Sequence, residues 1–161
     1  MDRKHFGLIG AVLGVALVVY LVLLWQPERQ VRLHQIHFLQ AVEKRDWPRF
    51  SNFIANNYSD RWQHDKNYLL AESRNVFQHF FILSISSEEI GIAGSNSAFT
   101  VRERLRMEGS GSPVAQFILQ RVNGLADPFL FQWQKQSWKP WAWKLTQIDQ
   151  PALELPETSD L

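Results

Sequence analysis

The chain has 161 residues, with 17 Lys and Arg against 16 Asp and Glu and no cysteine. This near-neutral balance argues against a nucleic-acid partner, since polyanion binding needs a basic surface. The lack of cysteine excludes disulfides, thiolate nucleophiles and Cys-type zinc sites. No phosphate-binding loop, nucleophile elbow or metal motif is present, so we expect no cofactor and no bound metal.

Residues 1–27 are predicted to form a short tail and a membrane anchor. The run from Phe6 to Trp25 carries no charge, and it is about as long as the ~20 residues that span a bilayer as a helix. A cleavable signal peptide is the alternative, but its apolar region is shorter and closes with small residues, whereas Leu23, Leu24 and Trp25 are bulky.

The orientation of the anchor follows from its flanks. Arg3 and Lys4 precede the apolar run, and Arg29 and Arg32 follow it, so the charge bias is slight. Because the preceding tail is very short, we expect a single-pass protein with its N-terminus in the cytoplasm. The domain behind the anchor would then be extracytoplasmic, and periplasmic in a bacterial host.

Three helices are predicted at the start of the soluble domain, residues 28–150. Apolar side chains recur at helical spacing from Val31 to Asp46, with Gln35 assigned to the polar side. Asp46 is a good N-cap for a second helix that ends near Asn56, and a third should run from about Tyr68 to Phe80.

Strands are predicted for the rest of the domain, because the apolar period changes to two at Phe81. The successive strands are expected to begin near Phe81, Phe99, Val114, Phe129 and Trp141. Residues 151–161 carry Pro151, Pro156 and acidic residues, which is typical of an exposed tail. The fold class is therefore α+β, with three helices packed on a strongly curved antiparallel sheet that forms a cone.

Three short segments carry a resemblance to a known family. They are Phe38-Leu-Gln-Ala-Val-Glu-Lys-Arg-Asp-Trp on the first helix, Phe50-Ser-Asn-Phe-Ile on the second, and Trp143-Lys-Leu with Ile148-Asp149 at the end. Together with the element order, they resemble the NTF2-like superfamily, which includes ketosteroid isomerases, scytalone dehydratases and SnoaL-type cyclases. The resemblance covers about Val31 to Asp149 and implies the cone fold, but these motifs are structural and imply no particular activity.

An anchor followed directly by this fold also resembles the bitopic inner-membrane scaffold component of type IV secretion systems, whose periplasmic domain is NTF2-like. That architectural likeness implies a protein partner in a membrane assembly.

Glu103 is the most informative single residue, because alternation places it on the apolar face of its strand. A carboxylate there costs free energy unless it is paired. If residues 114–122 form the neighbouring strand, Arg121 shares a face with Phe117 and can pair with Glu103. The alternatives are a misread strand register or bulge, and a functional carboxylate in a cavity lined by Glu103, Arg121, Phe117 and Trp143.

Histidines supply two further candidate sites. Asp60 and His64, with Asp65 nearby, lie in the segment between the second and third helices, where a histidine beside carboxylates is the usual acid–base arrangement. Polar loops also collect such residues, and Asp60 can simply cap a turn. His34 and His37 are spaced for one helix face, but without further ligands we expect them on the surface.

The last two strands are unusually rich in aromatic residues. If some are exposed on a sheet face, they mark a homodimer surface, for which Trp133, Phe131 and Trp141 are the candidates. Core packing is the alternative for at least half of the aromatic residues. The sequence thus predicts a membrane-anchored binding or assembly module without assigned catalysis, and the alternative is a small-molecule lyase, isomerase or hydrolase that uses the cone cavity.

Overall fold

The computed structural model describes residues 12–21 and 25–152. Residues 12–21 are helical, but much of the predicted anchor, Phe6 to Trp25, lies outside the described residues, as does nearly all of the predicted tail. Within the described ranges, no helix is both long and apolar enough to cross a membrane.

The soluble domain is an α+β structure in which helices precede and interrupt a sheet. Along the chain its elements are α1 (Pro27–Glu43), α2 (Trp47–Phe53), α3 (Lys66–Phe77), β1 (Phe80–Gly94), β2 (Ala98–Gly111), α4 (Pro113–Asn123), β3 (Phe129–Lys135) and β4 (Trp143–Asp149).

Helices α2 and α3 begin where the sequence provides a capping aspartate. The Asp46 carboxylate accepts a hydrogen bond from the Arg49 amide at 3.1 Å at the start of α2, and Asp65 accepts one from the Tyr68 amide at 2.8 Å at the start of α3. Such side chains satisfy amide groups that have no partner inside the helix. The three predicted helices are confirmed, with shifts of a few residues at their ends.

The four strands form one antiparallel sheet in the order β1-β2-β3-β4. Along β2, Val101, Glu103 and Met107 are buried against the helices. The other face of β2 carries arginines that are exposed, Arg102, Arg104 and Arg106. The predicted alternation in this strand is confirmed.

The strand predicted for residues 114–122 is wrong, because this segment is helix α4. Pro113 occupies the first turn, where its missing amide hydrogen costs nothing. Ala115 and Leu119 are buried one turn apart, and Ile118 and Val122 pack beside them on Phe80, Leu83 and Met107. This spacing is helical, so the apolar residues cover the sheet from one side of a helix.

Helix α1 runs antiparallel to β1 across the helix-facing side of the sheet. Arg32 near its start bonds Glu89 at 2.9 Å, whereas Arg45 just after its end bonds the Phe80 carbonyl oxygen at 2.6 Å. The start of α1 therefore lies towards the sheet end that carries the β1–β2 and β3–β4 turns, which we call the turn end. We call the opposite end, where β1 and β3 begin, the far end.

Candidate functional site

Glu103 lies in the interior between α1 and the sheet, as its strand position predicted, and is only 4% exposed. Its carboxylate accepts a hydrogen bond from Gln35 Nε2 at 2.8 Å. Gln35 Oε1 in turn accepts one from Trp133 Nε1 at 2.9 Å. Burial raises the pKa of Glu103, the negative charge of Glu89 raises it further, and the Gln35 bond opposes both.

The predicted Glu103–Arg121 pair does not form. Arg121 lies in the last turn of α4 and is exposed, while Phe117 on the same helix is 66% exposed. Neither residue can line the interior, because the segment is a helix and both side chains lie on its solvent side. The partner of Glu103 is instead Gln35, which belongs to α1.

Aromatic side chains fill the interior around this polar chain. Phe38 stacks on Phe50 with ring centroids 5.2 Å apart, and it meets the edges of Phe131 at 6.0 Å and Trp133 at 6.1 Å. Trp143, predicted to line a cavity, is 1% exposed and packs in the same cluster. These rings therefore belong to one packed core cluster, which Gln35 links to Glu103.

The residues predicted for a dimer surface separate into two groups. Trp133 and Phe131 are 0% and 2% exposed, so they belong to the core and cannot contact another chain. Their burial follows from their place on the helix-facing side of β3, under Phe38. Trp141 lies in the β3–β4 turn and is 58% exposed.

An open pocket of about 270 Å³ lies at the far end, between the loop after α2, helix α3 and strands β3 and β4. We call it the mouth pocket. Its walls are mainly aromatic and aliphatic, and they include Tyr58, Trp62, His64, Tyr68, Phe129 and Ile148. The volume is close to the lower end of the range for small-molecule sites, which are about 300–1,000 Å³.

Asp60 and His64 come together at the edge of this pocket. His64 Nδ1 lies 3.0 Å from Asp60 Oδ2, while Asp60 Oδ1 accepts hydrogen bonds from the Trp62 and His64 amides, both at 2.9 Å. The His64 ring stacks on Tyr68 with centroids 3.9 Å apart. Asp60 thus both shapes the loop and orients the imidazole, which combines the two roles that the sequence left open.

Tyr58 forms the buried wall of the mouth pocket and is 3% exposed. Burial raises the pKa of its hydroxyl group, the negative charge of Asp60 raises it further, and a backbone hydrogen bond with Ile148 opposes both. The phenol therefore stays protonated at neutral pH, and its hydroxyl group bonds the backbone of Ile148.

Two lysines line a larger, polar groove beside α2, of about 590 Å³. Lys66 Nζ donates to the Ile54 carbonyl oxygen at 3.0 Å, and Lys144 Nζ donates to that of Asn52. Both ammonium groups thus bond carbonyl groups at the end of α2, which is a structural use of their charge. Among residues 12–21 and 25–152, no three acidic or histidine side chains are grouped so that they could hold a metal ion.

The surface position expected for His34 is wrong. Its ring is half-buried between the Gln30 carbonyl oxygen, 2.8 Å from Nδ1, and the Trp141 carbonyl oxygen, 3.1 Å from Nε2. Burial lowers the pKa of His34, although both backbone contacts oppose this effect. His34 therefore links α1 to the β3–β4 turn.

Sequence reasoning missed two important residues of the interior and the pocket. The sequence pattern predicts Gln35 on the polar side of α1, but it lies four residues after Val31 and three before Phe38, both of which are buried. That spacing places it on the apolar face, and this was the available signal. Tyr58 had no such signal, because its burial depends on contacts with β4 that are distant in sequence.

Neither a protein-family model nor a curated protein matches the sequence. Solved structures do. A conserved protein from Planctomyces limnophilus superposes with a TM-score of 0.59 at 19% identity, covering 75% of this chain and 91% of that one. A putative dehydratase of the NTF2-like family from Streptomyces avermitilis gives 0.57 at 12% identity, covering 76% and 93%.

The chain has an NTF2-like fold. A hexachlorocyclohexane dehydrochlorinase from Novosphingobium barchaimii also shares it, with a TM-score of 0.57 at 9% identity over 75% of this chain and 82% of that one. Identities this low show a common fold only, since this fold carries different sites in different proteins. The predicted resemblance is confirmed at the level of the NTF2-like domain.

Proposed function

We propose that this chain is a membrane-anchored binding module whose NTF2-like domain takes a small, largely apolar molecule into the mouth pocket. The observation that carries the proposal is the contrast between the packed core under α1 and the open pocket beside α3. Phe38 packs on Trp133, and Trp133 bonds Gln35, the partner of Glu103, whereas the far end holds an open aromatic pocket of about 270 Å³.

The mouth pocket has the features of a ligand site rather than of a packing defect. Its walls are mainly apolar, and the Asp60–His64 pair supplies polar groups at its edge. A cavity of about 150 Å³ holds benzene, so this pocket has room for roughly one substituted ring. A flat ring would stack against Tyr68 or Trp62.

A pair of matched variants tests binding in the pocket. Val76→Trp would fill the pocket from α3, whereas Asn75→Trp would add the same bulk on the exposed side of that helix. We would screen single-ring aromatic compounds by thermal shift on the full chain in detergent. Compounds that stabilise the native chain and Asn75→Trp, but not Val76→Trp, support the proposal. Compounds that stabilise all three equally would contradict it.

Anchoring is the second part of the proposal and is supported by the uncharged run from Phe6 to Trp25. The chain should remain with membranes after high-salt and carbonate washing, with the N-terminus in the cytoplasm and the domain outside. Recovery in the soluble fraction as a chain starting near Gln26 would refute it.

An elimination enzyme is the second candidate function, favoured by the contact between His64 and Asp60 at 3.0 Å. In that role His64 would take a proton from a ligand carbon, and the C–H electron pair would form a C=C bond to the adjacent carbon. The leaving group would depart from that carbon as halide, or as water after the imidazolium returns the proton to a hydroxyl group, while Asp60 would hold the imidazole. Incubation with chlorinated cyclohexanes and cyclic alcohols, followed by chloride and alkene detection, would test it. His64→Gln should lower any real activity by about 100-fold or more.

The proposal also includes a homodimer and a protein partner in a membrane assembly. Trp133 and Phe131 cannot serve a dimer because they are buried, but Phe81 and Ile82 on β1 are 77% and 68% exposed. Exposed apolar neighbours of this kind are typical of contact surfaces. Sedimentation of the full chain, compared with Phe81→Ser, would show whether a dimer forms through this strand.

A further inference from the structure

The β3–β4 turn carries two tryptophans whose side chains are largely exposed to solvent. Trp138 is 84% exposed and Trp141 is 58% exposed. Large aromatic side chains are usually mostly buried. Tryptophan is enriched at the boundary between lipid and water, where its ring is apolar and its N–H group can still be hydrated.

The charged residues of the turn and of its two flanking strands, up to Ile148, are all lysines. Lys135 and Lys139 lie in or beside the turn, and no acidic residue occurs between Phe129 and Ile148. The neighbouring β1–β2 turn is also without acidic residues from Gly91 to Arg102. A tryptophan pair among lysines complements an anionic headgroup layer.

The path of α1 places this turn beside the point where the predicted anchor ends. The anchor ends at Trp25 and α1 begins at Pro27, and α1 starts towards the turn end of the sheet. His34 Nε2 lies 3.1 Å from the Trp141 carbonyl oxygen. The distance from His34 back to Pro27 is about 10 Å along the helix. This distance is similar to the thickness of one headgroup layer, about 5–8 Å.

We infer that the β3–β4 turn rests in the headgroup layer of the bilayer, with Trp138 and Trp141 at the lipid–water boundary and with Lys135 and Lys139 on anionic headgroups. This inference rests on the membrane anchoring proposed above. It makes the turn a second attachment point beside the anchor, so the domain has a fixed orientation. The mouth pocket, at the far end, then opens away from the membrane.

The lack of native cysteine permits a site-specific test on the full chain. Ser137→Cys puts a single thiol in the exposed turn, and Ala126→Cys puts one in the exposed loop at the far end. Each variant is labelled with the environment-sensitive fluorophore NBD. Both are reconstituted in vesicles of phosphatidylcholine and phosphatidylglycerol, with and without lipids that carry a nitroxide at the headgroup.

The inference predicts that NBD at position 137 is quenched at least threefold more than NBD at position 126, and that Trp138→Ser with Trp141→Ser removes most of the difference. Equal quenching at the two positions, in a chain that resists carbonate extraction, would overturn the turn contact and leave the anchor standing. A chain that carbonate releases from the vesicles would overturn both. Circular dichroism of each labelled variant checks that the domain is folded.

Discussion

Gln35 holds the two buried polar groups of the interior, and its removal gives the sharpest stability prediction. Gln35→Leu keeps a similar volume but leaves the Glu103 carboxylate and the Trp133 indole N–H without their partner. An unpaired buried polar group costs about 1–3 kcal/mol, and more if it is charged. We therefore expect Gln35→Leu to lower the free energy of unfolding by about 3–5 kcal/mol.

The assay is urea unfolding of the full chain in detergent, followed by tryptophan fluorescence. Gln40→Leu, on the exposed side of the same helix, is the control and should change stability by less than about 0.5 kcal/mol. Adding Glu103→Leu to Gln35→Leu removes one unpaired group, so the double variant should recover at least about 1 kcal/mol. A single variant that costs under about 1 kcal/mol, or a double variant less stable than the single, would refute the reasoning.

Three further predictions concern the interior, α4 and the pocket loop. Burial raises the pKa of Glu103 above its ordinary 4.5. The contribution of Glu103 to the free energy of unfolding is therefore complete below pH 4.5 and is lost as the pH rises through its pKa in the folded protein. Glu103→Gln should therefore gain stability over the native chain as pH rises from 4.5 to 8, whereas Glu108→Gln, exposed, should not. Leu119→Glu should lose at least about 3 kcal/mol by burying a charge, and Gln120→Glu next to it should lose almost none. Asp60→Ala removes the acceptor for two amides and His64, so the loop should exchange its amide hydrogens faster, at a cost of about 1–3 kcal/mol.

Local signals in the sequence were enough for most of the fold. The Asp46 cap, the helical spacing that begins at Val31 and the alternation along β2 each depend on neighbours within a few residues, and each is confirmed. The segment 113–123 shows how two patterns compete. Phe117 and Leu119 fit a strand, but Ala115 with Leu119 and Pro113 in the first turn fit a helix, and the packing of that helix on β2 decided it.

The site depended on contacts that no local pattern contains. The inward position of Glu103 followed from alternation, but its partner Gln35 lies on a helix distant in sequence. Composition showed that β3 and β4 are aromatic but could not separate Trp133, in the core, from Trp138, in solvent. The close contact between Asp60 and His64 could be anticipated because both lie in one short loop.

The most direct test of the central claim is a crystal structure of the chain soaked with the ring compound that gives the largest thermal shift. We expect ligand density in the mouth pocket, stacked on Tyr68 or Trp62 and within hydrogen-bond distance of His64, with Gln35 still bonded to Glu103. Density beside Glu103 instead, with Phe38 displaced and the mouth pocket empty, would contradict it.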